Sequence, residues 1–109
     1  MRATIRLALP ADQQAQLDDW LARPSNERRA VVAESGLTPL QAPDDVPLAR
    51  LAPGCVCCVG QVPLRVTLVR MVRAHRPDAV LLLMATPDHL PRVRALLGDG
   101  SLGVRFEVE

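Results

Sequence analysis

The sequence predicts an α/β domain of three layers, with helices covering both faces of a mostly parallel sheet of about five strands. Two observations carry this expectation. Segments with strand patterning alternate along the chain with segments of helical periodicity, the order that builds parallel sheets through crossover helices. In addition, "AVVAE" (30 to 34) and "DAVLLLMA" (78 to 85) are largely continuous apolar runs, as strands buried on both faces must be. A chain of 109 residues with 49% hydrophobic content fits one domain, 1 to 109, whose core needs no disulfide or metal to hold it.

Taken in order, "ATIRLAL" (3 to 9) alternates Ile5, Leu7 and Leu9 with Thr4 and Arg6 and reads as the first strand. "ADQQAQLDDWLAR" (11 to 23) sets Leu17, Trp20 and Leu21 on one helical face, which makes Trp20 a core residue, and Pro24 closes it. "AVVAE" is the second strand. Residues 35 to 47, rich in Pro, Asp and Gly, predict an exposed loop, and "LARLA" (48 to 52) a short strand after it. "QVPLRVTLVRMVRAHR" (61 to 76) carries Pro63 in its first turn and a stripe of Leu64, Leu68, Met71, Val72 and His75, with Arg65, Arg70, Arg73 and Arg76 opposite. After the strand 78 to 85, Thr86, Pro87 and Asp88 start a helix buried through Leu90, Val93 and Leu97 and stopped by Gly98. The tail alternates Leu102, Val104, Phe106 and Val108 on one face, as a strand at the border of a sheet does.

Composition narrows the function. The formal charge is +1, and one Trp and one Phe leave almost no platform for stacking single-stranded nucleic acid. The arginine face of the long helix reads as a solvated surface, so no nucleic-acid partner is expected. No run approaches the roughly twenty apolar residues of a membrane span, so no membrane partner is expected either. Arg6 interrupts the apolar start and no adequate signal-peptide core follows, which predicts a cytoplasmic protein.

The stretch "PGCVCCVG" (53 to 60) holds the chain's three cysteines, Cys55, Cys57 and Cys58. Their odd number in a reducing compartment favours thiols or metal ligation over bridges, and the neighbours Cys57 and Cys58 would strain badly if paired. Both stand just before the predicted helix start, where unpaired N–H groups stabilise thiolate, the form that binds metal or attacks disulfides. A C-x-C-C cluster cannot close a tetrahedral zinc shell alone, so a further ligand or an open position must exist. Inert burial and redox chemistry are the alternatives.

"GCVCC", followed by a helix and then "RPDAVLLL", resembles the G-C-x-C-C loop, helix and Walker B strand of the CobW-like metallochaperone GTPases. Upstream, "RAVVAESG" is similar to that family's V-N-E-x-G strand end, with Glu34 and Gly36 at the matching places and Ala33 in place of the asparagine. "LALPADQQAQLDDWL" falls where the family carries its P-loop and first helix. The resemblance runs from the first strand to about residue 97 and corresponds to the N-terminal part of a full family member. It implies a P-loop-NTPase-like sandwich, a single truncated CobW-like domain, with the cysteine loop at the carboxyl end of the sheet. Carried over residue by residue, it implies metal ligation by Cys57, Cys58 and Glu34, with Cys55 an additional or alternative ligand. Two thiolates and a carboxylate suit Zn²⁺. His75 and His89 are candidates for a fourth ligand, but His75 lies roughly five turns down its helix and His89 begins another, so each reads as an ordinary partly exposed histidine.

The departures concern nucleotide. A P-loop needs glycines so that N–H groups approach phosphate, a lysine, and a Ser or Thr for magnesium. The equivalent here is "LPADQQA": Pro10 removes a donor, Asp12 repels phosphate, and Gln13 or a neighbour takes the lysine position. All thirteen basic residues are arginine, so no other register supplies the lysine. "LLLMATP" also lacks the acidic residue and glycine the family uses beside magnesium and the γ-phosphate. No nucleotide cofactor, and no hydrolysis, is therefore expected.

The leading expectation is a zinc carrier, sensor or accessory subunit, with a full-length CobW-like protein or a metal-receiving protein as partner, and not an enzyme. One rival is a thiol oxidoreductase pairing Cys55 with Cys57 or Cys58, although the C-x-C spacing of Cys55 and Cys57 is not the C-x-x-C of thioredoxin-like enzymes. The other is a metal-independent pseudo-GTPase that serves as a docking partner.

Overall fold

The computed structural model describes residues 2–8, 12–24, 26–34, 40–51, 62–84, 90–98 and 105–108. Among the described residues eight elements follow one another: β1 (Arg2–Ala8), α1 (Gln13–Ala22), β2 (Arg29–Glu34), β3 (Leu48–Leu51), α2 (Val62–His75), β4 (Ala79–Leu83), α3 (Leu90–Gly98) and β5 (Arg105–Val108). The five strands form one sheet in the order β3-β2-β4-β1-β5, and every pairing is parallel. This is the expected α/β class with its five strands and three helices. All strand carboxyl ends consequently point to one end of the sheet.

Period-two alternation sorts each inner strand between two helical layers. Ala30 and Val32 of β2, Val80 and Leu82 of β4 and Ala3 and Ile5 of β1 pack with Leu64, Leu68 and Met71 of α2 and Val93, Leu96 and Leu97 of α3. Val31 and Ala33, with Ala79, Leu81 and Leu83, face the opposite way onto Leu17 and Trp20 of α1. Every residue of β4 is buried, as its apolar run predicts. Each Val, Leu or Ile buried in this way contributes about 1.5–3 kcal/mol.

The expectations differ from the structure in two places, before β3 and in β5. The segment before β3 is not wholly exposed: Leu40 is buried, and Ala42 and Val46 pack beside it on the α1 layer. His75 shares the spacing of the apolar stripe of α2 but is exposed at the helix's last residue, in keeping with the exposed histidine expected. In β5, Phe106 is buried as expected, whereas Val108 is 43% exposed at the strand's outer end. Leu102 and Val104 lie outside the described residues, as does the expected helix start at 86 to 88.

The amino end of the sheet is tied by backbone contacts. The Asp78 carboxylate accepts from the Arg28 N–H at 3.0 Å, Asp78 N–H donates to the Arg28 carbonyl at 2.8 Å, and Thr4 N–H donates to the Asp78 carbonyl at 2.9 Å. The Arg29 guanidinium closes the end of α1, donating to the carbonyls of Leu21 at 2.9 Å, Trp20 at 3.4 Å and Arg23. It also lies 5.6 Å from the centre of the Trp20 ring, within cation–π range. Arg76, just past α2, has φ 45°, the left-handed conformation that usually follows a helix C-terminus.

Candidate functional site

Open parallel α/β sheets place ligands beyond the carboxyl ends of their strands. At that end, three segments distant in sequence meet. The first is the start of α1. Asp12 has extended backbone, φ −66° and ψ 101°, and its carboxylate accepts from the Ala15 N–H at 3.1 Å while its carbonyl accepts from Gln16 N–H at 3.0 Å. This is an N-cap, which supplies the helix start with an anion from the chain itself.

The second and third segments are the tips of β2 and β4. Gln13, the first residue of α1, donates from Nε2 to the Glu34 carbonyl at 3.3 Å and to the Met84 carbonyl at 3.5 Å. A neutral amide carries two N–H donors, enough for both contacts. Gln14, its neighbour, is turned outward. Its carboxamide receives the Gln41 N–H at 2.8 Å and donates to the Gln41 carbonyl at 3.0 Å, tying α1 to the segment that precedes β3.

Glu34 ends β2 at 1% exposure, the one polar residue in the fully buried class among the described residues. It continues the row of Ala30 and Val32, which faces α2 and α3. A carboxylate at that depth requires compensation by hydrogen bonds or a cation. In the sheet Glu34 stands opposite Leu51, the last residue of β3. The chain passes from Leu51 into the cysteine segment and resumes at Val62, the first residue of α2. Cys55, Cys57 and Cys58 themselves lie outside the described residues.

Of the expected metal ligands, the structure therefore locates Glu34 alone, buried and at the carboxyl end of the sheet. Among the described residues no group of three or more His, Cys, Asp or Glu is close enough to hold a metal. His75 is at the opposite end of α2, lining a cavity of about 650 Å³ with Arg28 and Pro77 at the amino end of the sheet. That location removes it as a ligand beside Glu34. His89 lies outside the described residues. The arginines of α2, Arg65, Arg70 and Arg73, are exposed as expected for an outer face, and no described helix is long and apolar enough to cross a membrane.

Sequence reading missed the Asp12 cap and the Gln13 bridge. The first had a signal, an Asp immediately before a helical pattern. The second had none, because it joins residues 21 and 71 positions apart. No family model, curated protein or solved structure matches the chain.

Proposed function

We propose that the chain is a metal-binding accessory or carrier domain of the CobW-like kind, built on a P-loop-NTPase-like sheet, which holds Zn²⁺ and does not hydrolyse nucleotide. The observation that carries this reading is the buried carboxylate of Glu34 directly opposite Leu51, four residues before the first cysteine. A strand neighbour is only about 4.8 Å away, so the chain leaves β3 beside the backbone of Glu34 and reaches Cys55 four residues later in sequence. Thiolate and carboxylate together are a donor set suited to a borderline divalent ion. Cys57, Cys58 and Glu34 would hold it, with Cys55 an additional or alternative ligand. A shell not closed by the chain leaves room for a ligand from a metal-receiving protein or a full-length CobW-like partner.

The start of α1 supports the absence of nucleotide chemistry. A phosphate at a helix N-terminus needs open N–H groups and a nearby cation. Here Asp12 supplies its own carboxylate to those groups, and neutral Gln13 is engaged with two strand carbonyls. The sequence has no lysine for the P-loop position, and an arginine could supply charge but not that loop geometry.

Zinc titration against a competing chelator under reducing conditions tests the reading. One Zn²⁺ per chain is expected. Cys57→Ser with Cys58→Ser abolishes binding while the domain stays folded, and Glu34→Ala weakens it more modestly. Affinity falls as pH is lowered, because protons compete with the metal for both sulfurs. Wild-type affinity in the double serine variant, or no zinc binding by the wild-type chain, overturns the proposal.

A further inference from the structure

The parallel pairing of β2 with β4 runs from Arg29 opposite Ala79 to Ala33 opposite Leu83. The next residues along the two strands are Glu34 and Met84, and both of their carbonyls accept from the one Gln13 amide. Gln13 thus joins the two strands one position beyond their last paired residues, where a twisted sheet begins to splay. The carbonyl it holds on β2 belongs to the residue whose buried carboxylate is the candidate ligand. Because Glu34 is flanked by β3 on one side and by this amide bridge toward β4 on the other, its backbone is constrained from both sides.

From this geometry we propose that Gln13 is a positioning residue for Glu34. By donating its two amide protons to the Glu34 and Met84 carbonyls it fixes the tip of β2, and with it the direction in which the Glu34 carboxylate leaves the sheet. The assignment rests on the metal reading above and adds to it a residue that touches no metal. Gln13 acts through α1, whose start is in turn set by the Asp12 cap and whose outer side is tied to Gln41 through Gln14. Displacement of α1 would therefore reach the metal ligand without any contact between the helix and the ion. Outer partners that orient metal ligands alter affinity by roughly 10- to 100-fold when removed.

The experiment is a double-mutant cycle read as zinc affinity, using the wild-type chain, Gln13→Met, Glu34→Ala and the pair. Gln13→Met preserves length and approximate volume while removing both donors. It is expected to weaken zinc about tenfold in the wild-type background and to change it by less than about twofold when Glu34 is already alanine. Equal losses in both backgrounds would mean a general effect on the fold and overturn the assignment, as would an unchanged affinity in Gln13→Met. A second measurement needs no variant: the side-chain amide protons of Gln13 in the wild-type chain are expected to exchange slowly with solvent. Exchange at the rate of an exposed glutamine overturns the bridge itself. Wild-type protein that binds no zinc defeats the metal reading, whereas wild-type binding without coupling between Gln13 and Glu34 defeats only the role of Gln13.

Discussion

The two ends of the sheet are closed by different chemistry. At the amino end, charged side chains serve backbone termini: Asp78 accepts from the Arg28 N–H, and Arg29 gathers the last carbonyls of α1 while covering Trp20. At the carboxyl end, Asp12 caps the start of α1 and the neutral amide of Gln13 joins the tips of β2 and β4. Glu34 is buried beside these contacts, and Gln13 engages it through its backbone carbonyl. The amino end is thus held by charged groups, and the carboxyl end by a cap and a neutral amide that acts on strand backbone. Arginines and Asp78 at the other end are accounted for by the fold itself.

That comparison is broken most severely through the strand both ends share. Leu82 is fully buried on β4 against α2 and α3, and Leu82→Ala is expected to lower stability by about 2–5 kcal/mol, loosening both ends together. Denaturant unfolding reads this directly. A loss below about 1 kcal/mol would mean that the layer described here is not the packed core.

Arg29→Lys sharpens the comparison at the amino end. A lysine cannot reproduce a planar fork that reaches several carbonyls and lies over Trp20, so a loss of about 1–2 kcal/mol in stability is expected. Zinc affinity should stay unchanged, and a parallel drop in it would show that the two ends are not separable. The smallest effect belongs to the cap. Asp12→Ala should cost about 1 kcal/mol and Asp12→Ser much less, since serine also caps. Neither variant should gain affinity for GTP with magnesium in calorimetry, because removing the internal anion restores neither glycine nor lysine to the junction.

How far the sequence discloses this molecule depends on the range of the interaction involved. The inner strands are legible because burial on both faces writes an apolar run, as in β4, and the α1 face because Leu17 and Trp20 recur at helical spacing. Periodicity alone would bury His75, since a helix's last residue can keep the spacing of the buried stripe, and only its polar chemistry marks it as exposed. It also misses Leu40, an isolated apolar residue in a Pro-rich segment that has no period to reveal it. Of the candidate site, Glu34 was legible only through the resemblance of "RAVVAESG" to a V-N-E-x-G strand end. Its burial and its pairing with Leu51 are tertiary facts, and the contacts of Gln13 depend on the strand order.

The central claim is that cysteine sulfur and the Glu34 end of the sheet share one metal ion. X-ray absorption at the zinc edge of the stoichiometrically loaded wild-type chain tests it most directly, because sulfur scatterers are distinguished from nitrogen and oxygen by their longer bonds to zinc. The account predicts a mixed shell containing sulfur from Cys57 and Cys58 together with oxygen, and loss of that shell in the variant carrying Cys57→Ser and Cys58→Ser. A wild-type shell of nitrogen and oxygen alone would contradict it.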